Sequence, residues 1–443
     1  MSKQKDSEDL VRVAPGTVMG EMIRQYWIPA AMSSELERDG APMRLMLLGE
    51  RLIAFRDSSG RVGVMDHRCP HRCASLFFGR NEEGGIRCGY HGWKFDVEGN
   101  CLDQPNLPDK NKYPAGVKSY AYKVTEQAGI IFVYMGKRAV PPPMPNLEAL
   151  IGDYPDGTVA LTQRECNWMQ ALEGDVDTSH LGFLHMGGID GDALDESNPS
   201  RYTVINKAPQ INVTETAFGT MYSASREAGE GEDHHRFACF VFPFWVNYPG
   251  GASLDKGVTL NGWVPIDDNN TMIFNIDRLR GTPASKEGLK YKDGKPVEGL
   301  ARPVDYLPTT SDWQGRWRAK SNLSNDYHRD LEWMKRGSYT GIRGIPLQDQ
   351  AIQESMDPIV DRTLEHLGSS DRMVMLTRRR LLDAAIEFRK SGDLPEMVDK
   401  PELCEGTAGG DIVVERGTDW LDVYEKVMTE RYGPNRFRRD AAE

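Results

Sequence analysis

The sequence has no long apolar run, no apolar segment near its start and no basic tract, and each absence argues against a class of protein. Its longest apolar stretch, Gly129–Met135, is far shorter than the roughly 20 residues that a membrane-spanning helix needs. The opening residues contain no apolar core of a secretory signal. A net charge of −12 argues against nucleic acid and anionic membranes as partners. We therefore expect a cytoplasmic protein that binds neither.

Cysteine is also scarce, and its number is odd. Seven cysteines in 443 residues cannot form a complete disulfide framework, so in a reducing cytoplasm we expect thiols or metal ligands. The remaining composition is ordinary for a globular protein. With 39% hydrophobic and 27% charged residues, the length predicts two or three domains, each with its own core.

The hydrophobic pattern changes along the chain, from short strand-like runs to segments with helical periodicity, and this order predicts an α+β protein. Short apolar runs separated by turns predict a small barrel or sandwich in the first third. The prolines of Pro141–Pro145 predict a linker, because they cannot continue a strand or helix. We predict four segments: an N-terminal helical segment (1–42) that packs on the second domain, a β-rich domain (43–140), a linker (141–150) and a mixed domain (151–443).

Hydrophobic periodicity assigns individual elements within these segments. The predicted strands are Arg44–Leu48, Leu52–Arg56, Val62–Met65 and Gly129–Tyr134. The predicted helices are Met19–Ala31, Asn167–His180, Asp312–Arg336, Gln348–Ser355, Asp371–Lys390 and Asp419–Tyr432. Two longer stretches, Arg201–Tyr248 and Gly257–Arg278, alternate in the manner of antiparallel strands.

Two short loops in the β-rich segment each carry one cysteine and one histidine. The sequence reads Cys69-Pro-His71, then sixteen residues, then Cys88-Gly-Tyr-His91. Zinc is one alternative, but zinc sites usually space the ligands within a loop by two to four residues. A Rieske [2Fe-2S] cluster suits the pattern better, because two thiolates hold one iron and two imidazoles hold the other. The predicted cluster ligands are Cys69, His71, Cys88 and His91.

A second group of potential ligands follows the linker, in the segment NWMQALEGDVDTSHLGFLH. On a helix Glu173, Asp177 and His180 would share one face. His185 would lie about 140° further round, so the two imidazoles converge only if the helix loosens or ends between them, as Gly182 would permit. Ordinary polar residues at a helix end are the alternative. Two histidines and a carboxylate would instead form a non-haem Fe(II) site with open positions for O₂ and substrate.

Both groups resemble motifs of one family. Cys-Pro-His-Arg at 69–72 and Cys-Gly-Tyr-His-Gly-Trp-Lys-Phe-Asp at 88–96 resemble the Rieske domain of bacterial ring-hydroxylating oxygenases. Glu-x3-Asp-x2-His-x4-His at 173–185 resembles their mononuclear iron motif. Respiratory Rieske proteins carry a further cysteine in each loop, and Cys73 has no partner in the second loop here. The resemblance implies a Rieske domain followed by a helix-grip-like catalytic domain with an antiparallel sheet and helices.

The resemblance also implies roles for individual residues. His180 and His185 would be iron ligands, and Asp177 would link an iron-ligand histidine to a Rieske histidine of the neighbouring subunit. The carboxylate ligand would come from a C-terminal helix, where Asp349 is the best match. The alternatives are Asp357 and Asp361.

The residues Asn-Trp-Met-Gln-Ala-Leu-Glu-Gly that open the iron segment most resemble the phthalate dioxygenase branch, many of whose members act on aromatic carboxylates. A buried arginine suits such substrates, because a guanidinium binds a carboxylate through two hydrogen bonds. Arg226 and Arg236 are the predicted substrate contacts, with Arg201 as a third candidate. A solvated surface position is the alternative for each. His234 and His235 are a poor chelating pair, because adjacent strand residues face opposite ways. They lie in a charged stretch and are expected at the surface.

These features predict the terminal oxygenase component of a multicomponent Rieske non-haem iron oxygenase. It would use O₂ to hydroxylate, dihydroxylate or O-demethylate an aromatic, carboxylated compound, with a [2Fe-2S] cluster and Fe²⁺ as cofactors. No Gly-x-Gly-x-x-Gly follows a strand, so electrons should come from an NAD(P)H-dependent reductase, with or without a ferredoxin. The resemblance implies a homotrimer or a stacked hexamer. A Rieske-type electron-transfer protein without oxygenase activity is the alternative.

Overall fold

The computed structural model describes residues 3–108, 116–152, 158–278, 289–300 and 303–434. Its N-terminal part contains helices and short strands. The helices are α1 (Lys3–Val11) and α2 (Val18–Ile23). The strands are β1 (Ile28–Met32), β2 (Met43–Leu47), β3 (Glu50–Arg56), β4 (Val62–Asp66), β5 (Arg80–Glu82), β6 (Gly85–Arg87), β7 (Lys94–Phe95), β8 (Cys101–Asp103), β9 (Lys123–Gln127) and β10 (Ile130–Tyr134).

These short strands form antiparallel sheets, and a small core lies between the second and third of them. β1, β10 and β9 form one sheet, β2 to β4 a second, and β5 to β8 a third. The core beneath the predicted cluster loops includes Ile53, Phe55, Leu76, Ile86 and Phe95. Buried apolar side chains thus support both loops from below.

The second part of the chain contains longer strands and helices. Its strands are β11 (Thr158–Arg164), β12 (Gln210–Thr216), β13 (Gly219–Gly229), β14 (Glu232–Val241), β15 (Trp245–Asn247), β16 (Thr259–Pro265), β17 (Thr271–Asp277) and β18 (Gly410–Glu415). Its helices are α3 (Glu148–Ile151), α4 (Trp168–Val176), α5 (Arg201–Ile205), α6 (Leu331–Lys335), α7 (Ile345–Glu354), α8 (Arg372–Ser391) and α9 (Trp420–Tyr432). None of the helices in the described ranges is long and apolar enough to cross a membrane.

One antiparallel sheet organises the second domain, with the strand order β11-β17-β16-β15-β14-β13-β12. β18 pairs with the first half of β14. α4 packs against β14, β15 and β16, and α8 packs against β12 and β13. Helices that cover a sheet bury its apolar side chains, and Trp245, Trp263 and Phe240 are accordingly buried. The predicted α+β class is confirmed.

The N-terminal segment contributes to both domains. α1 and α2 pack against α8, and α1 also contacts α4. The next strand, β1, pairs with β10, with Ile28 opposite Val133. The boundary predicted at residue 43 therefore divides a sheet of the β-rich domain. The predicted helix Met19–Ala31 is wrong beyond Ile23, because the end of this run forms β1 and pairs with β10.

Two segments of the chain contain little regular secondary structure. Pro141–Pro145 is irregular, as predicted, and Trp27 Nε1 donates to the Pro142 carbonyl at 2.7 Å. The predicted long helix Asp312–Arg336 is wrong: only a 3₁₀ turn at Leu323–His328 and the short α6 form there. Positive φ angles at several residues interrupt it, since side chains other than glycine rarely adopt them within helices.

Candidate metal centres

The two predicted cluster loops have the same backbone geometry. The first loop follows β4, and the second joins β6 to β7. In each loop the residue four places after the cysteine donates its N–H to the cysteine carbonyl. Cys73 donates to Cys69 at 2.8 Å, and Gly92 donates to Cys88 at 3.0 Å. Both donors have positive φ, 58° and 78°, which closes each turn.

The four side chains carried by these loops lie close together. Cys69 and Cys88 are buried, and the rings of His71 and His91 meet edge to face with centroids 4.5 Å apart. Burial raises the pKa of Cys69 to about 12, and the neighbouring Cys88 adds to the shift. Two adjacent buried thiols beside two imidazoles are the donor set of a Rieske cluster. The cysteines bind iron as thiolates, so binding the cluster would remove their protons despite the burial. The residues present therefore fit the cluster.

Trp93 orients one of these histidines. Its indole lies parallel to the His71 ring, with centroids 4.5 Å apart and an interplanar angle of 3°. Trp93 Nε1 donates to Asn106 Oδ1 at 2.8 Å, which fixes the indole in turn. The sequence motif did not reveal this contact, because the spacing of a tryptophan does not indicate which ring it stacks on.

His71→Cys is expected to lower the reduction potential of the cluster by roughly 100 mV or more, because a thiolate adds negative charge to that iron. Protein-film voltammetry measures the potential. Trp93→Phe is the control, since it leaves the ligand charges unchanged and should shift the potential far less. An unchanged or higher potential in a His71→Cys variant that keeps its cluster would contradict the assignment.

The iron segment begins as a helix and then changes geometry. Asn167 caps α4, which ends at Val176, and a π-helical turn follows at Leu181–His185. The predicted continuous helix to His180 is therefore wrong. A π turn is wider than an α turn, and here it brings the two imidazoles together. The chain is therefore wider than an α-helix between His180 and His185, which is the loosening that their convergence requires.

Gly182 lies within this turn for a steric reason. A Cβ at this position would lie 3.0 Å from Lys207 Cγ and 3.3 Å from the Thr203 carbonyl oxygen. α5, which contains Thr203, contacts the turn directly. Glycine therefore permits close packing here, whereas the sequence suggested only that it loosens the helix.

Three ligand atoms from two parts of the chain point to one position. His180 Nε2 and His185 Nε2 are 3.1 Å apart, and Asp349 Oδ1 on α7 lies 3.5 Å and 3.2 Å from them. Ligands about 2.1 Å from a metal would lie about 3.0 Å apart at right angles and about 3.4 Å apart at a tetrahedral angle. The three residues therefore fit a mononuclear ion bound on one face, with other positions open.

The pKa of Asp349 also suits a metal ligand, because a carboxylate binds a metal in its ionised form. Burial opposes its ionisation, but the neighbouring His185 and His180 outweigh burial and lower the pKa of the carboxyl. The two alternatives differ in position: Asp357 and Asp361 are exposed, and Asp361 caps a 3₁₀ turn. Within the described ranges, the group of ligand atoms includes Asp349 and neither alternative.

Asp177 lies on the more exposed side of this group. Its Oδ2 is 3.5 Å from His180 Nδ1, and its Oδ1 accepts from both the backbone N–H and the hydroxyl of Ser179 at 2.7 Å. Burial alone would raise the pKa of Asp177, but the adjacent His180 lowers it. The side chains of Asp177 and His180 are 25% and 21% exposed, against 3% for His185. The Asp177 carboxylate therefore lies on the Nδ1 side of the His180 ring, near the surface.

His185 has a different support, which the sequence did not indicate. Gln348 Oε1 lies 2.7 Å from His185 Nδ1, and Gln348 Nε2 donates to the Ile342 carbonyl at 2.7 Å. Gln348 is buried on α7, immediately before Asp349. No spacing pattern distinguishes this glutamine from the others on the helix.

Glu173 joins helices and does not contact the ligand atoms. Its carboxylate accepts from Arg378 at 2.7 and 2.9 Å, and Arg362 lies 3.1 Å away. Arg378 lies on α8 and also pairs with Glu365. This network attaches α4, which precedes the iron ligands, to α8.

The two predicted substrate arginines are buried and have different partners. Arg236 Nη1 donates to both carboxylate oxygens of Asp411, at 2.9 and 3.1 Å, and its Nη2 donates to the Pro249 carbonyl at 2.7 Å. Arg226 Nε donates to the Asn206 carbonyl at 2.8 Å, while its Nη1 has no hydrogen-bond partner among the described residues. Arg236 is thus neutralised within the chain, which opposes its predicted role as a substrate contact. Arg226 keeps a donor available.

The prediction that His234 and His235 lie at the surface is wrong. Both side chains are buried on β14. His234 Nε2 lies 2.9 Å from Asp411 Oδ1, and His235 Nδ1 lies 2.8 Å from Ser223 Oγ. Each imidazole can be buried because a neighbouring strand supplies its hydrogen-bond partner.

Family models match both domains. A model of the Rieske [2Fe-2S] domain matches residues 26–121, and a model described as LigXa C-terminal domain like matches residues 133–436. The first match begins before β1, in agreement with the pairing of that strand with β10.

Known proteins resemble the chain over nearly its whole length. The 3-chlorobenzoate-3,4-dioxygenase oxygenase subunit of Comamonas testosteroni is 45% identical, over 96% of this chain and 98% of that protein. The phthalate 4,5-dioxygenase oxygenase subunit of Pseudomonas putida is 34% identical, over 93% and 92%. The solved structure of a QL mutant of NdmA from Pseudomonas putida CBB5, with caffeine, covers 91% of this chain and 99% of its own with a TM-score of 0.57. At 17% identity it supports the fold alone.

The chain therefore belongs to the Rieske non-haem iron oxygenases, whose cofactors are a [2Fe-2S] cluster and a mononuclear iron. Within them it is an oxygenase subunit of the phthalate dioxygenase branch. The alternative of an electron carrier without oxygenase activity is not supported, because such a protein would not need the second domain.

Proposed function

We propose that the protein oxidises an aromatic carboxylate and that Arg226 holds the carboxylate group. The two relatives above are named for 3-chlorobenzoate and phthalate, and both compounds are aromatic carboxylates. In this chain, the observation that carries the proposal is a buried group of polar residues whose charges do not balance. We call it the arginine cluster, and its members are Arg226, Arg236, His234 and Asp411.

The charge of the arginine cluster supports an anionic ligand. Arg226 and Arg236 supply two guanidinium groups, and Asp411 supplies one carboxylate, which already accepts from Arg236 and lies beside His234. Burial first, and then Arg236, lower the pKa of Arg226 to about 10, so Arg226 is still charged at neutral pH. A buried cation without an anion is costly. A substrate carboxylate at Arg226 Nη1 would supply both the missing charge and the missing acceptor.

The position of the arginine cluster also supports the proposal. Tyr222, Ala224 and Arg226 project from the same face of β13, because strand side chains alternate. Tyr222 lies beside Thr178 and Asp177, which precede the iron ligand His180. Four residues at about 3.3 Å each place Arg226 about 13 Å further along the strand. An aromatic acid bound by Arg226 would therefore share a face of β13 with Tyr222, the residue that lies beside the iron segment.

Arg226→Met is expected to raise KM for an aromatic carboxylate about ten- to a hundredfold more than for its neutral methyl ester. The lost charge-assisted hydrogen bond accounts for about 1.5–3 kcal/mol. Oxygen consumption with a reductase and both substrates measures the difference.

Arg379→Met is the matched control, because Arg379 is exposed and pairs with Glu215 at the surface. It should change neither KM. Equal effects of Arg226→Met on the acid and the ester would show that Arg226 does not bind the carboxylate.

We propose further that His180, His185 and Asp349 hold the iron, which supplies the O₂-activating chemistry when bound. Asp177 Oδ2 lies 3.5 Å from His180 Nδ1, and a negative charge facing that nitrogen would keep His180 Nε2 directed at the metal position. Arg226 orients the ring relative to that position. A panel of aromatic carboxylates, with mass spectrometry of the products, tests this reaction. Added oxygen indicates hydroxylation or dihydroxylation, and a lost methyl group indicates O-demethylation.

We also propose that the subunits form a homotrimeric ring, alone or stacked as a hexamer. The tip of the second cluster loop is exposed, with Tyr90 at 58%, and Asp177 lies near a second surface of the chain. A head-to-tail ring can bring two different surfaces together between neighbours. Light scattering of the holoenzyme tests the ring. An NAD(P)H-dependent reductase, with or without a ferredoxin, would deliver electrons to the cluster, and the cytoplasmic location stays a prediction.

A further inference from the structure

The two histidines of the iron site face chemically different acceptors. His180 Nδ1 faces the carboxylate of Asp177, and His185 Nδ1 faces the amide oxygen of Gln348. We propose that Gln348 is a positioning residue that fixes His185 as an iron ligand. This inference rests on the iron site proposed above and adds a residue to it.

The second contact of Gln348 determines the orientation of its amide. Gln348 Nε2 lies 2.7 Å from the Ile342 carbonyl oxygen, which can only accept a hydrogen bond. The amide nitrogen must therefore face Ile342, and the amide oxygen must face His185. Because an amide oxygen also only accepts, His185 Nδ1 carries the hydrogen. His185 Nε2 then keeps its lone pair, which is directed toward Asp349 and His180.

The position of Gln348 couples two iron ligands. Gln348 and Asp349 are adjacent on α7, so one helix both supplies the carboxylate and orients His185. The N–H of Gln348 donates to the Gly344 carbonyl at 3.0 Å, and the N–H of Gly344 donates to the Gly299 carbonyl at 2.7 Å. These hydrogen bonds fix the start of α7. A displacement of the helix would therefore move both ligands.

A neutral acceptor suits the inner side of the site. Gln348 is 2% exposed and the His185 side chain 3%, and a second carboxylate would be costly to bury there. The amide gives the ring its direction without adding charge. Removing the outer partner of a metal-binding histidine usually costs ten- to a hundredfold in metal affinity or activity. Loss of the Gln348 acceptor should therefore weaken iron binding.

The test is Fe²⁺ binding by protein that has lost its mononuclear iron but keeps its cluster. Gln348→Leu is expected to weaken Fe²⁺ binding about ten- to a hundredfold. Gln348→Glu keeps an acceptor for His185 Nδ1 but adds a buried charge and loses the donor to Ile342, so its affinity should lie between those of Gln348→Leu and wild type. Chelator competition measures the affinity, and the ligand-field spectrum of Fe²⁺ reports whether His185 still binds. Tm and the visible spectrum of the cluster report the fold and should change little.

Gln350→Leu is the matched control. Gln350 is similarly buried on α7, but its amide donates to the Gln163 carbonyl and to Glu354, so this variant should bind Fe²⁺ as tightly as wild type. Wild-type affinity in Gln348→Leu, or an equal loss in Gln350→Leu, overturns the proposal. If Gln348→Leu does not fold, equal losses in Gln348→Glu and Gln350→Leu overturn it. Tight Fe²⁺ binding by Asp349→Ala would instead refute the iron site itself.

Discussion

Asp349→Ala is expected to remove the mononuclear iron and to leave the cluster intact. Among the described residues, Asp349 supplies the carboxylate oxygen that lies within 3.5 Å of both imidazole nitrogens. Two neutral imidazoles alone give Fe²⁺ an incomplete site. Iron should fall from about three to about two per chain. Product formation should fall by more than about a hundredfold, because even the loss of an outer partner can cost that much.

The controls for this variant are the exposed carboxylates that follow on the same part of the chain. Asp357→Ala and Asp361→Ala should keep about three irons and full turnover. Iron quantitation, the visible spectrum and product analysis are measured on all three proteins. Full iron and activity in Asp349→Ala, with loss of both in either control, would assign the ligand to the other aspartate.

Asp177→Asn is expected to slow reoxidation of the reduced cluster by about a hundredfold or more, while both metal centres remain. The change hardly alters the side-chain volume, and the amide oxygen can still accept from Ser179 as Asp177 Oδ1 does. It removes the charge that faces His180 Nδ1 and weakens that acceptor. If electrons reach the iron through Asp177, electron transfer from the cluster to the iron should slow in this variant. Single-turnover mixing of the prereduced protein with O₂ and substrate, followed by cluster absorbance, measures the rate.

Ser179→Ala is the control for the shape of the loop. It removes the hydroxyl that donates to Asp177 Oδ1 but leaves the carboxylate and its charge. The cluster in this variant should reoxidise at close to the wild-type rate, and in both variants the reductase should still reduce it. Wild-type reoxidation in Asp177→Asn would place the electron route elsewhere.

The sequence pattern predicted those helices and strands whose formation depends mainly on their own residues. The strands β2 to β4 and β10, and the helices α7 to α9, lie within a few residues of their predicted bounds, because alternation and amphipathic spacing are properties of the segments themselves. The apolar run Met19–Ala31 instead divides between a helix that packs on α8 and a strand that pairs with β10. Those partners are distant in sequence, so no local pattern indicates where the run divides.

The same distinction applies to the site. The Cys-x-His and His-x4-His spacings are local, and the structure brings their residues together. The pairing of Arg236 and His234 with Asp411 joins residues about 175 apart, so an alternating strand pattern could not show that Arg236 is neutralised. Gln348 has no spacing signature, because only the fold places its amide against His185.

The attachment of α1 and α2 to α8 has a consequence for how the protein is made. The buried side chains of Met19, Met22 and Ile23 belong to the core that α8 helps to form, and α8 begins about 350 residues later in the chain. During synthesis these apolar residues stay exposed until most of the polypeptide has left the ribosome. This exposure favours aggregation or binding by chaperones. A fragment that ends at the proline linker would leave the same face permanently uncovered. A separate cluster domain would therefore have to begin after Ile23, because α1 and α2 pack with the second domain.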